Sequence, residues 1–199
     1  MTITDERPAA GSEVARRAMI DSQLRTSGVN EPWVLAAMDR VAREDFVPAE
    51  MRAAAYTDRA VPLGDGRFLA APLFYGRLLT EAEPTLEDDV LVIGGGSWYL
   101  AELVKPLVKT LEIGTAGEQG GYAPGAYSLI LLDGAVEELP EAIAAALKDG
   151  GRIVAGLFER GVTRLAIGRK TAGAVAWLPL AEMGIPVLPE YAAPRRWSF

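Results

Sequence analysis

The sequence contains neither cysteine nor histidine among its 199 residues. Without cysteine there can be no disulfide, no zinc–thiolate site and no thiol nucleophile. Histidine is the commonest general base near neutral pH and the commonest metal ligand, so its absence excludes a serine–histidine–aspartate hydrolase and a histidine-ligated metalloenzyme. Any reaction that this chain performs must therefore proceed without imidazole and without thiolate.

Long apolar runs and an excess of basic residues are also lacking. No window of about 18 uncharged apolar residues occurs, so neither a membrane-spanning helix nor a membrane partner is expected. Residues 1–10 carry charges and no apolar core, which argues against a signal peptide and makes the cytoplasm the default location. The net charge of −7 repels phosphate backbones, so no nucleic-acid partner is expected.

Apolar residues make up 50% of the sequence, and their arrangement predicts an α/β fold. Residues 90–93 and 127–132 are continuous apolar runs, typical of parallel strands buried on both faces. Their alternation with helical patterns predicts a doubly wound, mostly parallel sheet with antiparallel terminal strands. We expect a flexible tail over 1–12 and one domain over 13–199, with a helical cap in 13–85 and the sheet in 86–199.

Three stretches of sequence resemble one known family. The first, Met19 to Gly66, contains MIDSQLRTSGV, VLAAMDRVAREDFVP and AYTDRAVPLGDG. The second, VLVIGGGSWY, is similar to a family pattern of the form VLEIGTGSGY. The third is GAYSLILLDGA followed by LPEAIAAALKDGGRIVAGL. Together they resemble the protein-L-isoaspartate O-methyltransferase family over almost the whole chain after the tail.

The resemblance implies a Rossmann-like methyltransferase that uses S-adenosylmethionine and no metal. Its acceptor would be the carboxylate of L-isoaspartyl residues in damaged proteins or peptides, whose methylation starts their repair. This reaction suits a chain without histidine, because the acceptor is already an anion at neutral pH. Catalysis then consists mostly of positioning the reactants and excluding water.

The resemblance assigns cofactor contacts to the glycine-rich loop after the first buried strand. Gly94, Gly96 and Ser97 match the residues that cradle the methionine end of the cofactor. Val92 stands where the family has an acidic residue, and Trp98 stands at the third glycine position. Because glycine lets the backbone approach the ligand, we expect the Trp98 indole to pack into or over the cofactor space.

Two acidic residues are further candidates for cofactor binding. Glu112 matches the family acid that ends the second strand and binds the ribose, and Asp133 ends a buried strand where ligands bind in open sheets. The short Gly-rich stretch before Tyr122 predicts that one helix and one strand of the family are missing. If residues 107–113 are instead the third strand, Glu112 has no ribose role. The alternatives are a solvated carboxylate for Glu112 and a turn cap for Asp133.

The acceptor side departs from the family pattern as well. Ala70 stands where the family has a serine that contacts the acceptor, so no catalytic residue is assigned. Asp65 and Arg67 flank this segment and are predicted to bind the acceptor. The Arg67 guanidinium could attract its carboxylate, and the alternative is a surface salt bridge.

Three hypotheses follow from these departures. The first is an S-adenosylmethionine-dependent carboxyl methyltransferase with weakened or lost activity. The second is a non-catalytic binding or assembly module whose cofactor site is plugged, and the third is a site for another small ligand. Loss of a helix and a strand would expose apolar sheet surface, which a second copy in a homodimer could cover.

Overall fold

The structure is a computed structural model, and it describes residues 10–118 and 121–193. Most of the predicted tail, residues 1–12, therefore lies outside the described residues. The described helices are α1 (Ala10–Met19), α2 (Pro32–Arg40), α3 (Pro72–Ala82), α4 (Tyr99–Val104) and α5 (Glu141–Ala146). None of them combines the length and the apolar character that crossing a bilayer requires.

The cap begins with α1, which continues through the π-helical turn Ile20–Leu24 and the 3-10 turn Arg25–Ser27. Gly28 ends this run with a left-handed φ of 86°, a conformation that favours glycine. In α2, Glu31 is the residue that precedes the first helical residue, Pro32.

The described strands form a hairpin and one large sheet. Their bounds are β1 (Val61–Gly64), β2 (Arg67–Leu69), β3 (Asp89–Gly94), β4 (Thr110–Thr115), β5 (Tyr127–Val136), β6 (Leu147–Glu159), β7 (Val162–Thr171) and β8 (Ala174–Glu182). β1 and β2 pair as the antiparallel hairpin, and the sheet order is β4-β3-β5-β6-β7-β8. The first four strands of the sheet are parallel, whereas β7 and β8 are antiparallel. The doubly wound sheet with antiparallel terminal strands is confirmed.

The two edges of the sheet differ in character. β4 pairs on one side only, with β3, and the described residues between β4 and β5 contain neither helix nor strand. The predicted loss of a helix and a strand is thus confirmed, and β4 takes the second-strand position. Its Ile113 side chain is 44% exposed. At the opposite edge, β8 carries Pro179, which has no amide hydrogen to offer a further strand.

Two apolar cores cover the two faces of the sheet, because successive strand side chains point to opposite faces. Val92 joins the core that contains the cap helices and α4. Leu91 and Ile93 join the second core, which contains Ile143 of α5 and Tyr191. The cap residues therefore share one continuous core with the sheet.

An ion pair holds the amino end of the sheet together. Arg152 of β6 donates to both carboxylate oxygens of Asp88, at 3.0 and 2.8 Å, and also to the carbonyl of Ala82 at 2.6 Å. The Ser128 hydroxyl donates to the same carboxylate at 2.7 Å. These contacts join β6, the end of α3 and the start of β3 in one network.

The order of the strands reverses between β3 and β5. The connection through α4 leads from β3 outward to β4, and the connection through α5 leads from β5 to β6 on the other side. In open α/β sheets, ligands bind outside the carboxyl ends of the strands at such a reversal. We call this space the crevice, and its floor is made of Gly94 and Asp133.

Candidate functional site

The glycine-rich loop after β3 folds tightly at the floor of the crevice. A Cβ atom on Gly94 would lie 3.2 Å from the Ser97 carbonyl oxygen and 3.6 Å from the Asp133 Cβ. Gly96 has a φ of 148°, in the region that favours glycine. The buried Ser97 hydroxyl accepts a hydrogen bond from the Tyr99 amide at 3.1 Å. Ser97 therefore stabilises the start of α4.

Trp98 is not among the residues that line the cavity left in the crevice, and the expectation that its indole packs into or over the cofactor space stays a prediction. Its φ is −98°, a value that any residue adopts, so this position does not require glycine. The side chain is 42% exposed. The backbone at the third glycine position therefore accepts a tryptophan without strain.

Arg67, which begins β2, lies across the loop instead. Its Nη1 donates a hydrogen bond to the Gly95 carbonyl, and its Nη2 lies 2.6 Å from Oε1 of Glu190. A Cβ atom on Gly95 would lie 3.0 Å from both Arg67 Nη1 and Leu188 Cδ2. The guanidinium and the Leu188 side chain therefore cover the loop directly.

A segment near the end of the described chain closes the crevice, and we call residues 185–191 the crevice strap. The Leu188 amide donates to the Ala135 carbonyl and the Ala135 amide donates to the Pro186 carbonyl, both at 2.8 Å. The Leu188 side chain packs on Gly134, whose φ is 154° and where a Cβ would lie 2.8 Å from Leu188 Cγ. The crevice strap is thus bound to the end of β5 by backbone pairing and apolar contact.

Asp133, at the floor of the crevice, is an almost buried carboxyl group with 7% exposure. The Tyr75 hydroxyl donates to its Oδ1 at 2.7 Å. Burial raises the pKa of Asp133 to about 7, although the Tyr75 hydrogen bond and the charge of Arg43 act in the opposite direction. Asp133 therefore changes its protonation state near neutral pH.

Arg43 is a fully buried cation next to this carboxyl group. Its Nε and Nη2 donate to the carbonyls of Ala55 and Ala70, each at 2.8 Å. Its guanidinium carbon lies 4.9 Å from the ring centre of Tyr99 and 5.4 Å from that of Tyr75. Carbonyl dipoles and aromatic faces stabilise the buried charge, so Arg43 connects the cap to the crevice.

Ala70 occupies the position where the resemblance implies a serine. It is buried, with its amide donating to the Tyr75 hydroxyl at 3.2 Å. Its carbonyl accepts the Arg43 hydrogen bond described above. The backbone of this position is therefore held in place, but its methyl side chain offers no hydrogen bond to an acceptor.

The structure brings most of the predicted site residues together. Gly94, Gly96, Ser97, Asp133 and Arg67 all surround the crevice. Their convergence follows from the carboxyl ends of β3 and β5 lying side by side, with the β1–β2 hairpin folded over them. Their contacts with a ligand stay a prediction.

Two predicted residues lie away from the crevice. Glu112 pairs in register with Leu91, whereas Thr115 is the residue opposite Gly94, so Glu112 lies about 10 Å below the loop. Its carboxylate accepts a hydrogen bond from Tyr127. This placement corrects the expectation that Glu112 ends the second strand. Asp65 lies exposed in the hairpin turn, with a φ of 50°.

The residues that the sequence did not reveal are Tyr75, Leu188 and Glu190. Tyr75 lies in an apolar helical stretch and was indistinguishable from a core residue. The crevice strap has no periodic pattern, and its Glu190 meets Arg67 across 123 positions of sequence. The prolines at 186 and 189 favour an extended backbone, which was the one available signal.

The space left in the crevice decides whether a cofactor fits. Between the loop, Arg67, Asp133 and the crevice strap there remains a cavity of about 10 Å³, room for about one water molecule. Small-molecule sites measure about 300–1,000 Å³. In this arrangement the space directly beside the loop is too small for an adenosyl cofactor, because Arg67 and Leu188 cover the loop. A separate cavity of about 490 Å³ borders the crevice strap at Glu190 and Tyr191.

Comparisons with known proteins agree with the sequence resemblance. A family model described as protein-L-isoaspartate(D-aspartate) O-methyltransferase matches residues 15–115. A protein-L-isoaspartate O-methyltransferase of Methanoculleus marisnigri is 31% identical over 191 residues, covering 83% of this chain and 87% of the relative. One of Aeropyrum pernix is 43% identical over 114 residues, covering 55% and 44% of the two chains.

Solved structures show the same fold. A Plasmodium falciparum protein described as a protein-L-isoaspartate O-methyltransferase, in complex with S-adenosyl-L-homocysteine, has a TM-score of 0.67 at 16% identity. The comparison covers 90% of this chain and 98% of that one. The family model and the similarity over most of both chains together show that this chain belongs to the protein-L-isoaspartate(D-aspartate) O-methyltransferase family.

Proposed function

We propose that this protein is a protein-L-isoaspartate O-methyltransferase that acts on isoaspartyl carboxylates in damaged proteins and whose crevice is closed in its resting state. S-adenosylmethionine is the methyl donor that the family uses. The observation that carries the proposal is the family match over residues 15–115. The convergence of loop glycines, Asp133 and Arg67 at the strand reversal supports it.

The proposed roles follow from chemistry at the crevice. Gly94 and Gly96 let a ligand approach the backbone closely, and Asp133 lies beside them at the floor. Arg67 presents a guanidinium, which binds carboxylates through charge-assisted hydrogen bonds. The acceptor needs no base, since it is already ionised. With Ala70 in place of a serine, one positioning hydrogen bond is missing, which costs on the order of 1 kcal/mol, or about a fivefold slower reaction.

Binding and activity can be measured separately. We expect S-adenosylmethionine and S-adenosylhomocysteine to give measurable heat in calorimetry, with weakened affinity because the crevice must open. An isoaspartyl peptide should then be methylated, and the matching aspartyl peptide should not. Absence of heat at millimolar concentrations of both ligands would exclude the proposed enzyme.

A second candidate function is a non-catalytic module that keeps the fold for binding or assembly. The cavity of about 10 Å³ favours this alternative, together with the alanine at the serine position. Such a protein would bind neither nucleoside ligand, yet it would remain folded and cooperative in denaturation. Calorimetry therefore separates the two candidates before any activity is assayed.

Assembly and location are further proposals. Ile113 on the unpaired edge strand β4 offers apolar surface, and we propose that a second copy covers it in a homodimer. Sedimentation of the purified protein tests this, and a monomer at high micromolar concentration would contradict it. The cytoplasm stays a prediction from the sequence.

A further inference from the structure

The pair between Arg67 and Glu190 has the chemistry that the acceptor would need. A guanidinium at the mouth of the crevice holds a carboxylate, with an Nη2–Oε1 distance of 2.6 Å and both side chains only partly exposed. The carboxylate belongs to the protein's own chain, 123 positions away in sequence. An isoaspartyl residue likewise presents a free carboxylate, its α-carboxylate, which a guanidinium can bind.

The same segment covers the space beside the loop. Leu188 lies over Gly95 and Gly134, while its amide and the Ala135 amide form the two 2.8 Å hydrogen bonds that bind the segment to β5. Leu188, which covers the glycines, and Glu190, which pairs with Arg67, are two positions apart in the sequence. Displacing the crevice strap would therefore vacate both places.

We propose that the crevice strap is an internal competitor, in which Glu190 occupies the carboxylate site on Arg67 and Leu188 occupies the cofactor space. The inference rests on the proposed function and names Arg67 as the positioning residue for a carboxylate-bearing peptide. Release of the strap opens both places at once. Since each ligand binds the same open state, the nucleoside and the acceptor peptide favour each other's binding.

Hydrogen exchange of backbone amides tests the strap in the full-length protein without any ligand. Glu190→Gln removes the charge that Arg67 holds, and Glu182→Gln is the matched control, because Glu182 pairs with Arg164 at 3.4 Å on the distant strand β8. Loss of a charge-assisted pair should speed exchange of the Leu188 and Ala135 amides about tenfold. The control should leave both amides as protected as in the unaltered protein. Equal protection of these amides in both variants would overturn the proposal.

Peptide addition tests the identity of the competitor. An isoaspartyl peptide should speed exchange of the Leu188 amide in the unaltered protein, the matching aspartyl peptide should do so less, and Arg67→Gln should abolish the difference. An isoaspartyl peptide that leaves the exchange unchanged in the Glu190→Gln variant, where the competitor is weakened, would refute Arg67 as its receptor.

Calorimetry with S-adenosylhomocysteine separates the two proposals. About tenfold tighter binding to Glu190→Gln than to Glu182→Gln would support both of them. If Glu190→Gln speeds amide exchange in the crevice strap but this variant gives no heat with S-adenosylhomocysteine, the proposed function is wrong and the internal competitor is supported. If both variants bind S-adenosylhomocysteine with the affinity of the unaltered protein, the proposed function is supported and the internal competitor is refuted.

Discussion

Replacing Asp133 by asparagine should make the stability of this protein less dependent on pH. Asp133 is an almost buried carboxyl group that accepts a 2.7 Å hydrogen bond from Tyr75. Asparagine keeps an oxygen that can accept this bond and has nearly the same shape, but it cannot ionise. The comparison therefore isolates the cost of a buried negative charge.

The size and sign of the effect follow from the pKa. Burial raises the pKa of Asp133 from its ordinary value of 3.8 to about 7, so between these values the folded protein holds a proton that the unfolded chain has lost. The contribution of Asp133 to the free energy of unfolding is thus greatest below pH 3.8, and it falls as the pH rises toward 7. The full loss above pH 7 is about 4 kcal/mol, at 1.36 kcal/mol per pKa unit.

Urea denaturation at pH 5 and pH 8 measures this linkage. We expect Asp133→Asn to be more stable than the unaltered protein at pH 8 by about 4 kcal/mol, and by only about 2 kcal/mol at pH 5. Asp58→Asn, at an exposed position, should show no such dependence. The same stability difference for Asp133→Asn at both pH values would refute the reasoning, because it would mean that the buried carboxyl does not titrate between them.

Other predictions concern three separate parts of the molecule. Burial opposes ionisation of Asp88, but hydrogen bonds led by Arg152 hold its pKa below the ordinary value of 3.8. Asp88→Asn should therefore cost about 3 kcal/mol in urea denaturation at pH 7, with a penalty that shrinks as the pH falls below 3.8; an undiminished penalty in acid would contradict the ionic account. Gly156→Ala places a methyl 2.8 Å from the backbone of β5 and should destabilise by about 1–3 kcal/mol. Gly184→Ala, where a methyl meets nothing within 4 Å, is its control. Equal melting temperatures for the two variants would show that β5 and β6 can move apart to accept the methyl without loss of stability. Trp98→Gly should leave the affinity for S-adenosylhomocysteine within about twofold in calorimetry, since Trp98 does not line the cavity left in the crevice and lost surface contacts matter little; a large gain in affinity would support the indole as an obstacle to the cofactor.

Apolar periodicity was sufficient for the frame of the fold. The buried strand at residues 90–93 and the strand from Tyr127 lie where their local patterns predicted them. These features depend on neighbours in sequence, and their physical causes act within a few residues. The missing helix and strand were also predictable, because there was too little chain to form them.

Features that depend on distant contacts were not predictable. Helix α5 is only Glu141–Ala146, because Pro140 precedes it and the amides of residues 137 and 138 donate to the Tyr191 carbonyl. Glu112 was misplaced because the strand extends to Thr115, and the length of a strand is set by its partner. The closing of the crevice depends on Arg67 and Glu190, which no local pattern connects.

The unequal edges of the sheet limit how copies of this chain can assemble. Among the described residues, β4 pairs only with β3 and can accept another strand on its outer side, while β8 contains Pro179, which has no amide hydrogen. A fibre can grow only if each molecule has two sheet edges that pair with neighbouring molecules. A molecule with one such edge pairs with one symmetry-related copy, and assembly ends at the dimer. Truncating the family's sheet on one side therefore favours closed pairs over open-ended polymers.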